Sequence, residues 1–64
     1  MEEAAYFIEM TPQSFVESRY PDAYARKYAK LSIVIWCDVL NCRLSNFFHT
    51  EEEAWLNAAE WIYN

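Results

Sequence analysis

Glycine is absent from this 64-residue chain, and the absence removes two structural options. Hairpin turns that demand positive φ lose their usual occupant, and so do loops whose bare backbone cradles a phosphate. Long hydrophobic runs are missing as well. The longest, Ile33 to Cys37, is far shorter than the roughly 20 residues of a membrane-spanning helix. Met-Glu-Glu at the start has neither the basic opening nor the cleavage site of a secretory signal. Bases are scarce: five Lys and Arg face ten Asp and Glu, for a net charge of −5. That sign disfavours general attraction to nucleic acid or to an anionic membrane. The two cysteines, Cys37 and Cys42, would close only a tiny loop, and within one helix they would sit on different faces. They read as reduced thiols of a cytoplasmic protein.

Large rings, by contrast, are abundant: three Trp, five Tyr and four Phe. A domain this short buries only about 60% of the surface its unfolded chain exposes. Each ring wants to cover roughly 150–250 Å². One small core cannot hide them all, and clustered exposed rings mark contact sites. Phe15, Tyr28, Trp36, Trp55 and Ile62 can serve as core. Tyr6, Phe7, Tyr20, Tyr24, Phe47, Phe48, Trp61 and Tyr63 then compete for the remaining cover, which a homodimer or a larger protein partner would supply.

Thr11-Pro12 predicts a helix start, Thr as N-cap and Pro at the first helical position, ending where Pro21 restricts Tyr20. Ahead of it, residues 2–9 fit a short helix or a strand; the acids Glu2 and Glu3 favour the helix. Pro21-Asp22 opens a second segment. Tyr24, Tyr28, Leu31, Ile35 and Val39 recur at spacings of four, three, four and four, a helical period. Ala25, Ala29 and Trp36 widen that face, and Asp22 stands one turn ahead of Arg26. Ile33-Val34-Ile35 alone would favour a strand, but the longer periodicity predicts helix. Asn41 to His49 holds a turn. Thr50 then caps the last helix, with Glu53 completing a capping box. Ala54, Trp55, Ala58 and Ile62 form its inward stripe, bordered by Trp61. The expectation is one all-α domain: a compact bundle of three main helices near 12–20, 22–41 and 51–63, with a less defined N-terminal element.

Several constellations have bland explanations. Glu51, Glu52 and Glu53 point about 100° apart on a helix and suit the positive end of its dipole better than a metal or a DNA-mimicking surface. Cys37, Cys42 and His49 match no common zinc spacing. His49 has only Ser45 or Cys42 as a candidate nucleophile, with no carboxylate to orient it. No enzyme activity, metal or cofactor is implied. The basic residues are more informative. Arg19, Arg26 and Lys30, with Lys27 beside them, run along the expected central helix among Tyr20, Tyr24 and Tyr28. Such a stripe can meet phosphates and bases. An acidic protein surface, or the Glu-rich ends of the same chain, would satisfy it equally.

Two passages, Tyr20-Pro21-Asp22-Ala23 and Glu53-Ala54-Trp55-Leu56-Asn57-Ala58-Ala59-Glu60-Trp61-Ile62, resemble segments of small accessory proteins of bacteriophages and prophages. Those proteins often finish in a helix of the form A-W-x-x-A-A-x-x-I. The likeness covers under a quarter of the chain and carries over no functional residue. It implies a bacterial cytoplasm during infection or lysogeny, where small acidic proteins bind and block host machinery, anti-CRISPR proteins among them. The combined expectation is a non-enzymatic module that sterically blocks a host defence complex. Tyr20, Tyr24 and Phe48 would be its anchors and Arg26 and Lys30 its charged contacts. The alternative is a small nucleic-acid-binding or regulatory protein using the basic central helix.

Overall fold

The computed structural model describes residues 11–30 and 32–63. Helix α1 (Pro12–Arg19) leads into strands β1 (Ala23–Lys27), β2 (Ile33–Cys37) and β3 (Cys42–Arg43), and helix α2 (Glu51–Tyr63) ends the chain. The strands form an antiparallel meander in the order β1-β2-β3. The fold is therefore α+β, two helices and a three-stranded sheet, and the expected helical bundle is wrong. The expected element at residues 2–9 and the proposed role of Leu31 lie outside the described residues.

Both helices form where their caps predict. Thr11 Oγ1 accepts the Ser14 backbone N–H at 3.0 Å, and Pro12 sits in the first turn, where no intrahelical N–H is required. Thr50 Oγ1 accepts the Glu53 N–H at 3.2 Å and donates to Glu53 Oε1 at 3.1 Å. Three glutamates then fill the first turn of α2, at the positive end of its dipole.

The span 22–41 is a hairpin instead of a helix. Tyr24 pairs with Trp36, Arg26 with Val34 and Lys27 with Ile33. The apparent helical stripe fails on burial: Tyr28 is 50% exposed and Val39 73% exposed. The strand period of two instead sends Ala23 and Ala25 to one face and Tyr24 and Arg26 to the other. The β-branched Ile33-Val34-Ile35 run decides the matter, since all three residues are buried. A central strand can bury both of its faces, whereas an amphipathic helix keeps one side wet. Two reverse turns join the strands. Tyr28 N–H donates to Ser32 O at 2.9 Å, and Asn41 N–H donates to Asp38 O at 3.2 Å. Asn41 takes φ 56°, the only positive φ among the described non-glycine residues. Asparagine tolerates the left-handed region better than most residues, so lack of glycine did not prevent the second hairpin.

One face of the sheet receives the helices. Ile33, Ile35 and Cys37 of β2, with Ala23 of β1, pack with Phe15 and Val16 of α1 and Ala54, Trp55, Ala58 and Ala59 of α2. The alanines let α2 lie close to the sheet and to α1. Ile62, expected in the inward stripe, is half-buried against this core. The pairing with β3 is cut short at Ser45. Its fully buried hydroxyl accepts the Ile35 N–H at 3.0 Å and donates to Asn46 O at 2.8 Å. A side chain thus takes over the role of a backbone carbonyl, and the strand ends.

Candidate functional site

Among the described residues no helix lies on the opposite face of the sheet, yet it is not bare. Even-numbered residues of the hairpin project there: Tyr24, Arg26 and Tyr28 on one side, Val34 and Trp36 on the central strand. Arg43 pairs with Trp36 from β3. One step from the Ile33–Phe48 bridge, antiparallel geometry brings Phe47 alongside Val34. Val34 is fully buried although it stands outside the main core cluster.

The side chains around Val34 stack on one another in a belt. The Arg26 guanidinium lies 4.9 Å from the Trp36 ring centre and 5.2 Å from that of Tyr28. Tyr28 meets Phe47 at 5.3 Å between centroids, tilted by 46°. Arg43 lies 5.4 Å from the Phe47 centroid, and its Nη1 donates to Ser45 O at 3.1 Å and Asn46 Oδ1 at 3.3 Å. Cation–π contacts of this kind contribute about 0.5–1 kcal/mol each when exposed. Here they join Arg26, Trp36, Tyr28, Phe47 and Arg43 into one cluster. Five rings among the described residues remain substantially exposed, and three of them, Tyr24, Tyr28 and Phe47, belong to this face. Of the ten described aromatics only Phe15 and Trp55 are buried.

Charge is divided between the layers. All five bases lie between Arg19 and Arg43, whereas Glu51, Glu52, Glu53 and Glu60 ride on α2. Among the described residues none of Arg19, Arg26, Lys27, Lys30 and Arg43 makes an ion pair. Within the hairpin, Asp22 and Asp38 flank the Ala23–Cys37 end of the ladder, and Lys27 and Lys30 stand at the other. The cationic end is also the end nearest Arg26.

The structure brings only part of the sequence-derived site together. Tyr24 and Arg26 share the outer face, and Lys30 lies in the turn beside it. Tyr20, at the end of α1, and Phe48 are half-buried against the helix-side core. The basic stripe expected along a central helix does not exist: Arg19 ends α1 with its guanidinium over Phe15 at 4.9 Å, and Lys27 alternates to the face opposite Arg26. Tyr28, Trp36, Arg43 and Phe47 complete the belt and were missed as a group. Their signal was the two-residue alternation of Tyr24-Arg26-Tyr28 against Val34-Trp36.

The remaining candidates for chemistry stay apart or are otherwise engaged. Among the described residues no three His, Cys, Asp or Glu side chains gather to hold a metal ion. Both hydrogen bonds of the Ser45 hydroxyl serve the backbone. Cys37 and Cys42 are not in one helix but directly paired across β2 and β3. Both are free, Cys37 buried and Cys42 exposed. No helix among the described residues is long and apolar enough to cross a membrane. No protein-family model, curated protein or solved structure matches the chain.

Proposed function

We propose that this chain is a non-enzymatic protein-binding module that docks through the outer face of its sheet. The observation that carries the reading is the belt: Tyr, Trp and Arg, the residue types that dominate binding hot spots, gathered on one face with guanidiniums already stacked and rings partly exposed. Side chains held in place before contact lose less rotamer freedom on binding. The exposed Lys27 and Lys30 beside the belt favour rapid encounter with an acidic surface. A host defence complex as the partner is supported by the resemblance to phage accessory proteins; steric occlusion is the mode of action that a site without catalytic chemistry can supply.

Tyr24 is the test residue because it lies on the face, 40% exposed, but outside the stacked belt. Bacterial lysate passed over immobilised wild-type chain and over Tyr24→Ala should yield a partner that the variant retains poorly. The loss expected for a tyrosine anchor is about 2 kcal/mol or more. Equal retention would remove the outer face from the interface. A second reading, binding of single-stranded nucleic acid, draws on the same interleaving of guanidiniums and rings. It requires affinity that falls steeply as salt rises.

A further inference from the structure

We propose that Arg26 is a carboxylate receptor, taking an Asp or Glu side chain from an acidic segment of the partner protein. This rests on the outer face being the docking surface and names the chemistry of what docks there.

A guanidinium carries five N–H donors in a planar fork and has no acceptor capacity. In Arg26 the guanidinium carbon lies over the Trp36 and Tyr28 rings, at 4.9 and 5.2 Å, and the residue is exposed. Among the described residues, none of its side-chain N–H groups has an acceptor. Arg43 is different, because Ser45 O and Asn46 Oδ1 already receive its Nη1. Arg26 is thus an oriented fork lacking only its anion, and a fork of this shape matches the two oxygens of a carboxylate. Among the described residues, the chain's own acids do not supply it. Asp22 and Asp38 border the far end of the ladder, and the glutamates of α2 belong to the other layer.

The same geometry argues for a protein acid over a nucleic acid. Stacking a base needs a free ring face, and the belt rings face each other or an arginine: Tyr28 meets Arg26 and Phe47, and Phe47 meets Tyr28 and Arg43. A polyanion running past the face would also meet the field of a chain with net charge −5. One or two carboxylates, by contrast, would meet Arg26 with Lys30 in the adjacent turn.

The test uses the full chain labelled with ¹⁵N and titrated with a blocked oligoglutamate peptide, an oligoglutamine peptide and oligothymidylate. The Arg26 Nε–H and Trp36 Nε1–H resonances should shift saturably with oligoglutamate and stay in place with oligoglutamine. Arg26→Lys keeps the charge but loses the fork, and should weaken oligoglutamate binding roughly tenfold. The wild-type shifts stand as evidence even should that variant fold poorly. Equal affinity of Arg26→Lys, or shifts confined to Lys27 and Lys30, would overturn the assignment to Arg26. Tighter binding of oligothymidylate would overturn it in favour of nucleic acid, and no outer-face shift with oligoglutamate would end it outright. Failure of the docking face itself is read separately, from partner retention by Tyr24→Ala.

Discussion

The backbone N–H of Asn46 donates to the Asn57 side-chain oxygen at 2.9 Å, tying the segment after β3 to helix α2. Asn46 in turn receives Arg43 through its own side chain. The two asparagines therefore link the helix layer to the belt on the far side of the sheet. Asn57→Ala should lower stability by about 1 kcal/mol, the usual net worth of such a hydrogen bond. It should also broaden the Arg43 Nε–H resonance in ¹⁵N spectra. A stability loss with an unchanged Arg43 signal would show that the two layers are independent.

Ser45→Ala should be the more damaging substitution. Its hydroxyl is fully buried and is the acceptor for the Ile35 N–H, so removing it orphans a buried donor at the centre of the sheet. Loss of about 1–3 kcal/mol is expected, measured as a lower urea midpoint at unchanged slope. Ser45→Thr, which retains the hydroxyl, tests whether oxygen or volume is decisive.

Asn41 occupies the left-handed region at φ 56°. Asn41→Gly should be neutral or mildly stabilising, since glycine enters this region without a steric penalty. Asn41→Val should destabilise by about 1–2 kcal/mol, the cost of placing there a β-branched side chain without asparagine's local hydrogen bonding. Thermal melts of the two variants should move in opposite directions or at least separate clearly.

Cys37 and Cys42 face each other across the second hairpin but differ in accessibility. Intact-mass analysis after brief alkylation of the native chain should show one added group, at Cys42. Urea should be needed to expose Cys37, which is 1% exposed. Two rapid additions under native conditions would mean that this end of the core opens readily.

The two helices were legible because caps are local. Thr11-Pro12 and Thr50 with Glu53 satisfy their own N-termini within one turn, whatever the rest of the chain does. The middle of the chain was not legible in the same way. Tyr24, Tyr28, Leu31, Ile35 and Val39 obey a helical period, while Tyr24, Arg26 and Tyr28 obey a strand period. Only long-range pairing chooses between them. Ile33-Val34-Ile35 pointed to the strand, and its choice depended on having cover on both sides, which a sequence does not display. The candidate site suffered in the same way. Tyr24 and Arg26 could be picked out singly, but their company with Trp36, Arg43 and Phe47 follows from register. The absence of glycine misled for a simpler reason: Asn41 does the same backbone work.

Val34 is fully buried on the sheet face that carries Arg26, Trp36, Tyr28 and Phe47, the face proposed as the docking surface. Affinity and foldedness therefore draw on shared atoms. A substitution at Arg26, Trp36 or Phe47 that retunes recognition will also disturb how well the sheet holds together, so drift at these positions is doubly constrained. Tyr24 borders the patch outside its stacked contacts, so on the proposed reading it is the position where recognition can change while the scaffold stays intact.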